Sequence, residues 1–163
     1  SGLLVNGGGH AMAAGLTVRE DRIPALRDFL VSRAASAGLS DTRDRPLNID
    51  GALAVGGATP DLIALLERAG PYGSGNPEPR FAIAGARLVK VDIVGTNHVR
   101  CILADDDGAR LKGIAFRAGD GPLGQFLQQR RGQRVHVAGR LRADNWRGRN
   151  GVEVRIEDAG PAA

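Results

Sequence analysis

Three consecutive glycines, Gly7, Gly8 and Gly9, run directly into His10. Glycine runs tolerate positive φ and expose backbone N–H groups, so such a turn can form an anion-binding nest. The His10 imidazole beside it can donate a hydrogen bond to a phosphate oxygen. The continuation Ala11-Met12-Ala13-Ala14-Gly15 is small enough for backbones to pack closely. These residues predict a phosphate-holding turn. A second group is cationic. Residues 130–149 hold Arg130, Arg131, Arg134, Arg140, Arg142, Arg147 and Arg149 against a single acid, Asp144. Such a cluster attracts polyanions, and the planar guanidinium suits phosphate forks and base stacking. Arginine richness can equally reflect genome composition and a solvated face, so the cluster's position in the fold has to decide.

The rest of the composition narrows the classes. The 163 residues carry 22 basic and 18 acidic side chains, a net charge of +4. The excess is local: residues 1–80 carry eight basic and nine acidic residues, residues 81–163 fourteen and nine. Hydrophobic residues make up 42% and charged residues 25%, the balance of a globular chain. No apolar run approaches the ~20 residues of a membrane span. A single cysteine, Cys101, excludes an internal disulfide framework and fits a reducing compartment, here the cytoplasm. Cys101 is expected to be a small buried hydrophobe. One Cys and three scattered histidines (His10, His98, His136) exclude a zinc site of ordinary spacing. The chain opens mid-element without Met and is read as a fragment.

The elements that must position these groups follow from pattern. A helix starts near Asp21, a cap, with Pro24 in its first turn and Ile23, Leu26, Leu30 and Ala34 on one face. It stops before Gly38. Leu47-Asn48-Ile49-Asp50 alternates as a strand. Thr59-Pro60-Asp61 opens a helix with Leu62, Leu65 and Leu66 on one face. Residues 70–80 contain three prolines and three glycines and cannot be regular structure. Five strands then follow at 86–94, 98–103, 111–116, 135–141 and 152–156, with a short helix over 122–131 between the third and fourth. Asp105-Asp106-Asp107-Gly108 is a hairpin turn.

A β-β-β-α-β-β order in about 80 residues is that of an oligonucleotide-binding (OB) barrel. The fold class is therefore an α/β fragment followed by an all-β five-stranded OB barrel with one helix. The domains are 1–45 with the glycine motif, a connector over 46–80, and the barrel over 81–163. On this assignment Arg140 and Arg142 end the fourth strand, and Trp146, Arg147 and Arg149 lie in the loop before the fifth. OB barrels grip single strands with that loop and the strand two–three face. Trp146 either stacks on bases or folds back to cap the barrel core. Arg100 and His98 start the second strand, on the binding face. His136 alternates out of phase with Val135 and Val137 and is expected on the surface.

The string Gly7-Gly8-Gly9-His10-Ala11-Met12-Ala13-Ala14-Gly15 resembles the signature of the DHH-associated domain in the DHH phosphoesterase superfamily. The resemblance is closest to the RecJ family of bacterial single-stranded-DNA-specific exonucleases. It continues through Ile49-Asp50-Gly51-Ala52-Leu53, Ala69-Gly70-Pro71-Tyr72-Gly73, Asn76-Pro77-Glu78-Pro79 and Phe81. It extends to Val94-Gly95, His98-Val99-Arg100, Gly113-Ile114-Ala115-Phe116, Asn145-Trp146-Arg147-Gly148 and Ile156-Glu157-Asp158.

The resemblance implies a 5′-to-3′ exonuclease of recombination and repair, of which this chain is the C-terminal part. Gly7, Gly8, Gly9 and His10 would hold the substrate's phosphates, with His10 a contact to the transition state. Tyr72 would stack a base or pack in the core. Arg100, Arg140, Arg142, Trp146, Arg147 and Arg149 would contact DNA. The full-length enzyme would use Mg²⁺ or Mn²⁺ held by a DHH centre; no Asp-His-His occurs in this sequence, so no metal ligands and no hydrolytic centre are expected here. Implied partners are single-stranded DNA, a single-strand-binding protein and a helicase, with the protein a monomer and no membrane involved. Two rivals stand beside this: a DHH phosphoesterase acting on oligoribonucleotides or cyclic dinucleotides, and a non-catalytic single-strand-binding module.

Overall fold

The computed structural model describes residues 2–38, 46–144 and 151–162. The chain divides into two compact units, Ser1–Leu47 and Asn48–Ala163.

In the first unit, β1 (Asn6–His10) and β2 (Ala13–Thr17) form an antiparallel hairpin. Its register sets Gly8 against Gly15, Gly9 against Ala14 and His10 against Ala13. The glycine run is thus a strand, and the turn falls at Ala11-Met12. Gly7, Gly8 and Gly9 are all absent from the positive-φ residues, so the expected nest does not form. The glycine at position 9 has a different reason. A Cβ there would lie 2.6 Å from the Ala13 carbonyl oxygen and 2.7 Å from the Ala14 Cβ. The two strands approach too closely for a side chain at position 9.

A 3₁₀ turn over Glu20–Arg22 leads into α1 (Ile23–Ser36), with Pro24 in the first turn as expected. Asp21 does not cap it. Its carboxylate is engaged by the Arg19 guanidinium at 3.1 Å and by Arg22 at 3.8 Å, and Arg22 stands at the cap position with no capping bond from its side chain. Of the expected apolar face only Leu26 is buried; Ile23 and Leu30 are each half exposed. A hairpin and one helix offer too little surface to cover that face.

The second unit begins with β3 (Gly51–Leu53), parallel to the barrel's first strand. The strand expected over 47–50 therefore starts later. Leu47 and Ile49 alternate but are exposed, and Asp50 is used as a clasp. Its N–H donates to the Arg80 carbonyl, and its carboxylate accepts the Arg80 N–H, each at 2.8 Å. In α2 (Pro60–Arg68) the Thr59 hydroxyl accepts the Leu62 N–H, a regular N-cap. Ile63 is its buried anchor, and Leu65 faces solvent rather than the core.

The barrel comprises β4 (Phe81–Val94), β5 (His98–Ala104), β6 (Arg110–Ala115), α3 (Pro122–Gln129), β7 (Arg134–Asp144) and β8 (Gly151–Pro161). Neighbours run β4-β5-β6-β8-β7, and β7 returns to β4, closing a five-stranded ring. Only β6–β8 is parallel within it. β4 serves both sides of the closure because it bends. One register shift lies between Leu88 and Lys90 against β5, another between Ile83 and Ala86 against β7. Bulges of this kind let one strand turn a barrel corner. Inward side chains alternate along every strand, and Ile83, Leu88, Val99, Cys101, Leu103, Val135, Val137 and Val154 are sealed from solvent. α3 adds the fully buried Leu127 to the same core.

Candidate nucleic-acid interface

Alternation decides which side chains the barrel shows outward. In β6, Leu111, Gly113 and Ala115 point into the core, so Lys112, Ile114 and Phe116 stand outside. Pairing sets Arg100 of β5 against Ile114, and Ile114 against Arg155 of β8. One rung on, Ile102 faces Lys112, which faces Glu153. The outer face of β5, β6 and β8 thus interleaves cations with apolar side chains.

Phe116, 45% exposed, lies at the end of this face. The Arg155 guanidinium sits 4.8 Å from its ring centroid. The His98 ring meets it edge-on, with centroids 5.1 Å apart and planes at 66°. His98 is itself fixed, because its Nδ1 accepts the Arg117 N–H at 2.8 Å. Arg117 adopts φ 54°, a left-handed conformation uncommon outside glycine. Among the described residues, Arg117 and Arg155 have no carboxylate within ion-pair distance. Arg100 reaches Asp92 at 3.3 Å and stays exposed. Lys90 also pairs with Asp92, and these two cations, with the Lys90 hydrogen bond the larger cause, hold that carboxyl below its ordinary range.

Arg140 and Arg142 are differently placed. Arg142 forks onto both oxygens of the Glu78 carboxylate. Arg140 pairs with Glu157, and its Nε donates to the Glu78 carbonyl at 3.3 Å. Arg80 completes the chain, 2.7 Å from the other Glu157 oxygen. Three arginines and two glutamates thus tie the 70–80 loop to β7 and β8. The Tyr72 hydroxyl donates to the Leu66 carbonyl at 2.6 Å. Its ring, half-buried, lines a crevice of about 70 Å³ with Ile63, Leu66, Pro79, Leu141 and Arg142. Trp146, Arg147 and Arg149 lie outside the described residues; their flanks Asp144 and Gly151 pair as a rung of the β7–β8 ladder.

At the hairpin, the Asn6 Oδ1 accepts the Gly7 N–H at 2.8 Å, and the His10 Nδ1 accepts the Met12 N–H at 3.2 Å. The imidazole is exposed and retains Nε2 as a donor. A hollow of about 270 Å³ over the hairpin is lined by Asn6, Gly7, Gly8, Gly15, Leu16 and Thr17. The outer edge of a two-stranded ribbon offers alternate N–H groups, a row rather than a cup. Elsewhere, Cys101 is buried as expected, and burial pushes its thiol up to about 12. His136 is exposed on β7, its Nδ1 accepting the Gly85 N–H. Among the described residues no helix is long and apolar enough to cross a membrane.

Sequence reading missed Phe116, Arg117 and Arg155. The signal for Phe116 was present: two-residue periodicity through Leu111, Gly113 and Ala115 puts it outside. The small inward residues masked it, because Gly113 and Ala115 do not look like core.

A closed mixed barrel with a helix between its third and fourth strands, and a cationic outer face on its second and third, defines an OB-fold domain. A family model described as the RecJ OB domain matches residues 49–158, and the chain belongs to that family. It is 32% identical over 161 residues to the single-stranded-DNA-specific exonuclease RecJ of Dickeya dadantii, covering 98% of this chain and 27% of that protein. Against the RecJ of Bacillus subtilis it is 28% identical over 160 residues, covering 96% and 20%. Among solved structures it is similar to RecJ of Thermus thermophilus in complex with Mn²⁺, with a TM-score of 0.63 and 29% identity. That match covers 99% of this chain and 22% of the other; a Mg²⁺ complex of the same protein matches at 0.61. The chain thus spans between a fifth and about a quarter of the length of the Dickeya and Bacillus relatives.

Divalent ions in those structures raise the question of ligands here. Among the described residues no group of three or more His, Cys, Asp or Glu side chains converges to hold a metal ion. The described residues do not fit such a centre, and no step of hydrolysis is assigned to them.

Proposed function

We propose that this chain is the substrate-gripping part of a RecJ-type exonuclease that degrades single-stranded DNA from the 5′ end in recombination and repair. The observation that carries the proposal is the outer face of β5, β6 and β8, where Arg155 lies over the exposed Phe116 ring, Arg117 follows that ring in the chain and Arg100 stands exposed on β5. Phosphates supply charge to such a face, and single strands alone offer free base faces to its apolar part. The β1–β2 hairpin supports a second contact, with the His10 imidazole and the outward N–H groups of the glycine strand meeting the phosphate backbone. Trp146, Arg147 and Arg149 extend the grip from the β7–β8 connection. Arg140 and Arg142 join it where Glu78 and Glu157 yield to phosphate. Residues 1–45, 46–80 and 81–163 then act as phosphate-holding element, connector and single-strand grip.

In the longer protein, Mg²⁺ or Mn²⁺ would be held outside this chain. This chain alone then releases no mononucleotides from labelled single strands with either metal. The same reading places the protein in the cytoplasm as a monomer working with a single-strand-binding protein and a helicase.

The test is fluorescence anisotropy of this chain with labelled single-stranded and duplex oligonucleotides of equal length. Binding of single strands with a clear preference over duplex is expected. About three phosphate contacts give a slope of log K against log salt near −2. Equal affinity for duplex, or no salt-sensitive binding, overturns the proposal.

A further inference from the structure

The geometry points to Phe116, rather than a residue of the arginine-rich loop alone, as a base-stacking position of the barrel, its ring held ready by Arg155 and His98. The inference rests on the single-strand reading above and names the residue and the part of the ligand it meets: the face of an unpaired base.

An exposed phenylalanine alone means little, since single apolar side chains are common on surfaces. Four observations set this one apart. Phe116 is the one exposed aromatic among the described barrel residues, 45% open on a face otherwise rich in ionised groups. It is flanked rather than free. Arg155 lies 4.8 Å from the centroid, and the His98 ring centroid lies 5.1 Å from it. A ring so bracketed loses little freedom when a base arrives, which lowers the ordering cost of binding. Of its two flanking groups, the His98 ring is fixed through the Arg117 N–H, and the Arg155 backbone is set by its rung opposite Ile114. Finally, the nearest cations are available. Among the described residues Arg117 and Arg155 have no carboxylate within ion-pair distance, whereas Arg140 and Arg142 are held by Glu78 and Glu157.

A ring and a guanidinium plane together offer two flat surfaces on which a base can stack. A duplex cannot use them, because its base faces are covered by neighbouring pairs. Phe116 therefore discriminates by the exposure of the base, while the cations hold the backbone of either form. Sequence preference should be slight, since every base has a π-face.

The experiment measures the affinity of the 163-residue chain for a dT oligomer and for an abasic oligomer of equal length and charge. Three proteins are compared: the parent, Phe116→Leu and Phe116→Trp. Phe116→Leu should bind dT about 10- to 100-fold more weakly, the scale of one stacked base. It should bind the abasic oligomer within about twofold of the parent, because the phosphate contacts remain. Phe116→Trp should restore dT binding. If the parent binds dT and Phe116→Leu binds it equally well, the stacking assignment falls while the single-strand reading stands. If Phe116→Leu loses both ligands alike, or does not melt cooperatively, the ring is a structural one and the assignment also falls. If the parent binds neither oligomer, the single-strand reading itself is overturned.

Discussion

Arg142 grips both carboxylate oxygens of Glu78, a residue 64 positions upstream, so the proline-rich loop and the barrel wall share one ionic clasp. Arg140, Glu157 and Arg80 continue it. The clasp answers two requirements at once. It fixes a loop that has no regular structure, and it keeps two arginines of a cationic region from standing unpaired.

Removing Glu78 should therefore move stability and binding in opposite directions. The pairs are partly exposed, so Glu78→Gln is expected to cost only about 1 kcal/mol. For a domain of this size that is roughly a 3 °C fall in Tm. The fall should shrink in 1 M salt, where such pairs are screened. Freed Arg142 should then steepen the salt dependence of single-strand binding by about 0.7 in log–log slope. A lower Tm with an unchanged slope would show that Arg142 does not reach phosphate.

Glu153 supplies a pH prediction. Burial first, and Asp144 second, raise its carboxyl above the ordinary 4.5, against the opposing pull of Lys112 and Arg155. A raised acid binds its proton more tightly folded than unfolded. Its contribution to stability is complete below pH 4.5 and is lost as pH rises through the folded value. Glu153→Gln should leave the Tm unchanged near pH 4 and raise it at pH 7. Thermal melts of both proteins across that range check the sign, and a variant less stable at pH 7 contradicts it.

Much of this architecture was legible in the sequence. The barrel strands alternate with period two around buried Val99, Cys101, Val135, Val137 and Val154, and turns at Gly95 and Gly108 separate them. Other features were not. The glycines at 7–9 read as a turn because glycine permits bends, yet it also permits the close strand approach seen at Gly9. Leu47 and Ile49 alternate without burial, since the strand that pairs with β4 starts at Gly51. The partners of Arg140 and Arg142 lie far off in sequence, at Glu78 and Glu157. Spacing along one strand carries no information about them.

Cys101 reports on the integrity of the barrel. Its thiol is buried and pushed up to about 12, which leaves almost no thiolate at neutral pH. In the native state a disulfide reagent should react negligibly at pH 8. Labelling should appear only with the unfolding transition, as denaturant titration would show. Fast native labelling would mean that the barrel opens locally near Gly113.

On the function proposed above, the hairpin gives a prediction for a longer exonuclease containing this chain. His10→Ala should lower turnover by about two to three orders of magnitude, the scale of one lost transition-state contact. Circular dichroism should not change, because among the described residues the His10 ring bonds only the Met12 N–H. Gly9→Ala should also lower turnover, through a Cβ that collides with Ala13 and Ala14 and splays the strands. Near-normal turnover for His10→Ala would assign the hairpin a structural role.

The ring closure also sets a timetable for synthesis. Phe81 pairs with Gly139, and Lys112 of β6 pairs with Glu153. A nascent chain can therefore assemble the β4-β5-β6 meander early but cannot shut it. At ~5–20 residues per second, the open sheet waits several seconds for β7 and β8 to leave the ribosome. During that interval β4 and β6 each present an unpaired edge, the condition under which strands join wrong partners. Vulnerability to aggregation should thus be greatest in chains halted between residues 115 and 151, and should vanish once the last strand has docked.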